Sequence, residues 1–450
     1  METKQLYLNN SPRKLFFKAA IPGAISMFAM SLYFVLDGIF VGQILGDISL
    51  AAINLGISFV MINFSLADLI GVGSSVPISI YLGMKEDEKA NNVFTMACIM
   101  IFALSFVVGG LMYYFAPALL GLIGAQGKLA SLAIQYIRVY ALCSPVTTIV
   151  FAVDNFLRIS GKIKLSMWLN VLLSLLTLLL EYTFLAVLKF DIWGAALASC
   201  IGMAIIAFIA FYPFVKGRLV LKFVKPVFTK FELFRIIKSG LPTFLSNMAG
   251  RFTSIAVNSA FLAFGGPIAV TAYCIVLYSG DLIQPLIYGV NDSLQPAIGY
   301  NWGAGRYDRV KVFAKHTFST SAIIGLISAI VLFFFPEKIV SLFSKNNNAD
   351  FLSMVTTGLK IYGGARLFFW FGFSTQSYMS AVEQPLYSGI ISICMSFVFP
   401  MLGLMALRPL GLSGLWWNSM FVMFSTGIVS LILLLKFNKK AGKIVPPRVE

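Results

Sequence analysis

Chemistry in this sequence is concentrated in a few carboxylates that stand inside apolar runs. Asp37 lies near the far end of FFKAAIPGAISMFAMSLYFVLDGIFV, residues 16–41, a run with no breaker except Pro22. Such a run is long enough to cross a bilayer, which takes about 20 helical residues. Glu181 ends a polar stripe on a later run, where Asn170, Ser174, Thr177 and Glu181 recur at helical steps of four, three and four. An ionised carboxylate deep in a membrane helix costs roughly 2.5–3.5 kcal/mol even on lenient insertion scales, so it faces water or a partner and marks an ion pathway. Asp37 and Glu181 are therefore candidates for reversible binding of a proton or a cation.

Two further stripes lie in later runs. Asn247, Arg251, Ser254 and Asn258 repeat the four-three-four pattern, and Asp281, Gln284, Asp292 and Gln295 line up across Pro285. Polar faces of this kind turn away from lipid, toward the interior of a bundle or a central cleft. Asn170, Asp154, Arg251, Asp281, Asp292 and Gln284 are accordingly candidates for lining a substrate cavity. Each has a plainer reading. Uncharged residues join neighbouring helices, Asp154 beside Arg158 makes a local ion pair or cap, and Arg251 pairs with Asp281 or Asp292. Asp68 stands mid-helix with no evident role.

The elements that position these groups are helices in a membrane. Of 450 residues, 59% are hydrophobic and 12% charged, and the mean hydropathy is +0.87; soluble domains carry about 25% charged residues. Twelve apolar segments follow, near 14–41, 50–82, 90–118, 130–156, 165–188, 192–215, 234–264, 268–300, 310–335, 352–380, 386–407 and 411–435. The longest polar connection, KGRLVLKFVKPVFTKFEL at 216–233, separates the sixth from the seventh. The expected organisation is an N-lobe over 1–215, a basic linker over 216–233, a C-lobe over 234–436 and a tail over 437–450. Pro22, Gly23 and Pro242 near helix starts, and Pro285 and Pro296 in the eighth segment, are places for helices to bend.

Basic residues set the orientation. Loops on the side of the amino terminus hold 25 Lys and Arg, opposite loops hold 5, and 4 lie within segments; the positive-inside rule then puts both termini in the cytoplasm. The net charge of +16 is spread in short clusters between apolar runs, which reports topology and argues against nucleic acid. The same clusters suit contact with anionic membrane lipids.

The two halves resemble each other with a shift of about 220 residues. FFKAAIPGAIS at 16 answers RIIKSGLPTFLS at 235, VPISIYLGMKEDEKANNVF at 76 answers QPAIGYNWGAGRYDRVKVF at 295, and Gly194 answers Gly414. Six helices per half is an even number, so the repeat is parallel, about an axis along the membrane normal. The fold class is all-α integral membrane: twelve transmembrane helices in two six-helix lobes related by a pseudo-two-fold parallel repeat. Two lobes around a cleft is the architecture of a transporter that opens alternately to the two sides.

Other chemistries lack their residues. The five cysteines fall inside apolar runs without CxxC spacing, and the single histidine, His316, sits at a basic loop edge. GAQGKLA at 124 and SGKIK at 160 both fail the phosphate-loop pattern. No cofactor is expected, only a coupling ion, H+ or Na+, and a membrane enzyme is remote.

DGIFVGQILG at 37, FLRISGK at 156, WGAALAS at 193 and GVNDSLQPAIGYNWGAGRYDRVK at 289, in order along the whole chain, resemble the multidrug and toxic compound extrusion (MATE) family. The resemblance implies a proton- or sodium-coupled antiporter that exports cationic and amphipathic organic compounds. In the branch similar to DinF it implies ion coupling in the N-lobe. Asp37 matches the acid of helix one, Glu181 the acid of helix five with one methylene added, Thr177 the helix-five Asn and Ser199 the helix-six Thr. Na+, where it is the coupling ion, would then sit at Asp37 and Glu181. At the helix-seven position of the family's other arrangement this chain has Gly250 and Arg251, so no C-lobe cation site is carried over. Glu383 stands where the family has glycine. The expected partners are small organic substrates and lipids, the expected state a monomer in the cell membrane. A flippase for a lipid-linked precursor, on a related two-lobed fold, is the alternative.

Overall fold

The computed structural model describes residues 2–122, 125–281, 283–343 and 349–441. Within them the chain forms α1 (Glu2–Asn9), α2 (Pro12–Leu45), α3 (Asp47–Met84), α4 (Asp87–Leu122), α5 (Gly127–Thr147), α6 (Ile149–Ile159), α7 (Ile163–Tyr182) and α8 (Ile192–Val215) in its first half. The second half forms α9 (Lys230–Asp281), α10 (Gln284–Gly303), α11 (Tyr307–Phe334), α12 (Pro336–Phe343), α13 (Ala349–Ala381), α14 (Pro385–Ile393), α15 (Phe399–Ala406) and α16 (Gly411–Ala441). One π-helical turn, Thr183–Val187, extends α7, and another, Cys394–Val398, joins α14 to α15. The last residues of the expected tail, 442–450, lie outside the described residues.

The protein is all-α, with twelve membrane-crossing segments in two lobes. Ten described stretches are long and apolar enough to cross a bilayer, and one of them, Lys230–Gly280, holds the seventh crossing and, beyond Gly266, the first part of the eighth, which α10 completes. Gly266 has φ 67°, a left-handed conformation that breaks the helix and that glycine adopts without a Cβ penalty. The remaining crossing is α13, whose Lys360 and Arg366 dilute its apolar character. The eighth segment is interrupted as its proline suggested: α9 ends at Asp281 and α10 restarts with Pro285 in its first turn.

The chain divides into two compact units. Unit 1 comprises residues 1–10 and 25–240, unit 2 residues 11–24 and 241–450. The linker stays with unit 1 because α4 holds it: Lys222 N donates to Asn91 Oδ1 at 2.8 Å, Val224 N to Thr95 Oγ1 at 3.1 Å and Val227 N to Asn92 Oδ1 at 2.7 Å. The start of α2 goes to unit 2 because Gly23 packs backbone to backbone on Gly289 and against Ser293 of α10. Interfaces of small residues let membrane helices approach closely where no hydrophobic gain separates helix from lipid.

Unit 1 is built around Val41, Phe64, Tyr136, Tyr140, Leu185 and Cys200. Hydroxyls tie its helices together: Ser144 Oγ donates to the Ser105 carbonyl at 3.0 Å, and Ser105 and Thr148 share a bond of 2.6 Å. Tyr7 of α1 is fully buried and donates to the carbonyl of Arg158. Unit 2 is built around Val257, Phe261, Leu359, Leu415 and Trp416, with Gly358 of α13 lying flat on the Trp416 ring.

The glycine of FLRISGK and the glutamate that replaces it in the second half share a backbone state. Gly161 has φ 76° and Glu383 φ 57°. Both repeats thus turn through the left-handed region after the fourth crossing of each half, and the second does so with a side chain attached.

A glycine pair tests the packing. A Cβ on Gly23 would overlap Ser293 Oγ and the Gly289 carbonyl, whereas nothing lies within 4 Å of one on Gly110. Overpacking costs about 1–3 kcal/mol, and alanine in an open helical site gains about 0.5–1 kcal/mol. Melting of the detergent-solubilised protein is expected to fall for Gly23→Ala and to hold or rise for Gly110→Ala.

Candidate functional site

Glu181 stands in the last turn of α7, just before the π turn, where the Leu188 amide reaches back to the Thr183 carbonyl at 2.9 Å. A π turn widens the helix by one residue and often marks a functional position. The next helix is fixed by Asp191, whose side chain accepts from the Ile192 amide at 2.7 Å. Ser199 follows about two turns later. Thr177 Oγ1 fills the space that a Cβ on Gly202 would occupy, so α7 and α8 run close together.

These constraints bring Glu181 and Ser199 face to face. Ser199 Oγ donates to Glu181 Oε1 at 3.2 Å, and the two residues are 3% and 1% exposed respectively. From α2, Tyr33 OH lies 3.3 Å from Ser199 Oγ, and Asp37 one turn later places its carboxyl close enough to act on that of Glu181. From α5, the Tyr140 hydroxyl reaches Ser199 and Tyr136. Glu181 Oε2 is buried with no hydrogen-bond partner. The site is thus two carboxyl groups ringed by hydroxyls, with one carboxyl oxygen left open.

Of the residues implied by the resemblance, Asp37, Glu181 and Ser199 converge. Thr177, one turn from Glu181, is buried with its hydroxyl turned to Gly202. The tyrosines were missed. Tyr33 precedes Asp37 by four residues and Tyr136 precedes Tyr140 by four, so their helical spacing carried the signal.

Asp154 and Asn170 meet in a separate network. Arg158 pairs with Asp154, Ser166 Oγ also donates to Asp154, and Asn170 Nδ2 donates to Asp154 Oδ1 at 3.0 Å and to Ser26 Oγ at 2.7 Å. Arg158 Nε donates to Ser166 Oγ at 3.2 Å, which closes the ring of contacts. The charge of Asp154 is met inside this network.

In unit 2 the candidates scatter. Gln295 Nε2 donates to Asp292 Oδ1 at 3.3 Å and to Ser377 Oγ at 3.1 Å. Gln284 accepts from Arg366 and donates to Tyr288. Arg251 is half-buried with its Nε unpartnered, and Asn247 and Ser254 of the same stripe are exposed, away from the interior of the unit. The side chain of Asp281 lies outside the described ones. Arg366 was not among the expected site residues. It is 3% exposed in the middle of α13, with its guanidinium 4.4 Å above the Tyr362 ring and 5.2 Å from that of Phe369. Among the described residues no group of His, Cys, Asp and Glu is arranged to hold a metal ion.

Comparison with known proteins fits the double architecture. The MatE family model matches twice, at residues 22–183 and 242–404, starting 220 residues apart as the internal repeat does. "Multidrug export protein MepA" of Staphylococcus aureus is 26% identical over 442 residues, 96% of each chain, and that of Staphylococcus saprophyticus 24% over 441. Among solved structures, MATE in complex with MaD3S superposes with a TM-score of 0.92 at 24% identity, covering 99% of this chain and 100% of that one. A MOP superfamily transporter from Pyrococcus furiosus superposes with a TM-score of 0.91 at 24% identity, covering 99% of each. With its repeat, its twelve crossings and both family matches in register, this chain belongs to the MatE family.

Proposed function

We propose that the protein is a secondary active antiporter that exports cationic and amphipathic organic compounds from the cytoplasm by alternating access, in exchange for protons or sodium ions taken up in unit 1. Its setting is the cell membrane, with both termini in the cytoplasm, and it works as a monomer without enzyme chemistry. Membership of the MatE family and the multidrug export proteins among its relatives support the class of activity. The 25 to 5 bias of basic residues supports the orientation.

The observation that carries the coupling is the buried pair Asp37 and Glu181 with Ser199 and Tyr33 around it. Two carboxylates side by side repel strongly where the dielectric is low. A proton on one of them, or a cation between them, removes that repulsion. Hard cations take oxygen ligands, and the two carboxyls and two hydroxyls supply them. Asp37 rides on α2, which belongs to unit 2 up to Ala24 and to unit 1 from Ile25, two residues beyond Gly23. Pro22 adjoins that division and interrupts the backbone hydrogen bonds there. Ion occupancy at one end of α2 therefore acts on an element with a built-in point of bending.

The test is efflux of a fluorescent organic cation from proteoliposomes under an imposed pH or sodium gradient. Wild type is expected to follow one gradient, and Asp37→Asn and Glu181→Gln to lose at least tenfold of the gradient-driven rate. If neither gradient drives transport and Asp37→Asn changes nothing, the coupling assignment fails and a lipid-precursor flippase becomes the function to assay.

The hydroxyls distinguish the ions. A neutral hydrogen bond contributes about 0.5–1.5 kcal/mol net. Where sodium is the ion, Ser199→Ala and Tyr33→Phe are expected to raise the sodium concentration for half-maximal transport several-fold. Where the proton is the ion, the same variants are expected to stay within about twofold of wild type in the pH-driven rate.

A further inference from the structure

Unit 2 holds a half-open cavity of about 240 Å³ that the coupling site does not use. Its walls come from α9, α13, α16 and the π turn of residues 394–398, and include Tyr273, Tyr362, Trp416, Ser396 and Asn418. The aromatic side is set in place before any ligand arrives. Tyr273 stacks on Phe261 at 4.4 Å, and Phe261 meets Trp416 edge-on at 4.7 Å. Opposite, the π turn is anchored by Thr253 Oγ1, which donates to the Ser396 carbonyl, and by the 2.8 Å contact of Ser246 and Ser396 hydroxyls. Asn418 Oδ1 is buried without a hydrogen-bond partner.

Size limits the occupant. An apolar cavity near 150 Å³ takes a single benzene ring, and pockets for drug-sized ligands start at about 300 Å³. A compound of two fused rings falls between them.

Charge limits it further. Among the described residues no acidic side chain lines the cavity. One guanidinium group adjoins it: Arg366 donates to the hydroxyl of the wall residue Tyr362 and lies over its ring. Among the described residues it makes no salt bridge, and its buried Nε has no hydrogen-bond partner. The partners of Arg366 are neutral, the Gln284 amide oxygen, the Tyr362 hydroxyl and two ring faces. A buried cation without a counter-charge is costly, and the nearby cavity is where an anion would relieve it.

We propose that this cavity is a binding site for two-ring aromatic carboxylates, with the rings against Tyr273 and Trp416 and the carboxylate at the Tyr362 wall, under the field of Arg366. The site goes beyond the export of cations and is independent of the two carboxyl groups of Asp37 and Glu181 in unit 1.

Binding of tritiated 1-naphthaleneacetate to the full chain in lipid nanodiscs tests it, with competition by the unlabelled acid, by 1-naphthaleneethanol and by 1-naphthylmethylamine. The expected result is saturable binding of one acid per chain, at least tenfold preferred over the alcohol, with the amine weakest. Arg366→Gln is expected to erase the preference for the acid, Arg366→Lys to keep it, and Val422→Phe, which fills the cavity, to abolish binding of acid and alcohol alike. A melting curve for each variant identifies any that fails to fold, and the ligand competition on wild type stands without them. Absence of saturable binding by wild type, equal affinity for acid and alcohol, or an unchanged preference in folded Arg366→Gln would each overturn the proposal.

Discussion

The cost of an ionic or polar group inside a bilayer governs this molecule more than any other term. A helix in lipid satisfies its own backbone, but a carboxylate or guanidinium must find partners among side chains or water. Unit 1 meets that demand in two ways. Asp154 is neutralised by Arg158 and surrounded by donors from Ser166 and Asn170, a closed arrangement in which each member holds the next. Among the described residues Asp37 and Glu181 receive hydroxyls and each other, with one carboxyl oxygen unpartnered. The first network is complete as it stands, and the second has room for a charge.

Close helix contacts decide which side chains meet. Gly202 draws α8 onto Thr177 and so sets Ser199 against Glu181, while Gly23 draws the start of α2 onto α10. Steric permission is therefore upstream of electrostatics. A methyl group added at such a point displaces a helix, and with the helix the acid it carries.

Much of this was readable from residue types. Asp37 and Glu181 stand out because nothing else near them is charged, and the twelve crossings follow from hydropathy, including the break before Pro285. What escaped depends on contacts between distant segments. The transfer of residues 11–24 to unit 2 and of the linker to unit 1 rests on Gly23 against Gly289 and on Asn91, Asn92 and Thr95 holding backbone amides. Tyrosines are common at membrane interfaces, so Tyr33 and Tyr140 gave no distinct signal by composition. Arg366 looked like one stray cation among many, although Tyr362 and Phe369 flank it at steps of four and three on the same helix. Glu383 copies the backbone turn of Gly161, a state that glycine adopts more easily than a residue with a Cβ.

The short helix α1 is largely polar and lies ahead of the first crossing. Its Tyr7 is nevertheless buried, with a hydroxyl that donates to the carbonyl of Arg158, the residue that neutralises Asp154. Editing the first ten codons thus edits the packing of a segment some 150 residues away. Removing α1 would leave the carbonyl of Arg158 without its tyrosine donor and open the space that Tyr7 fills.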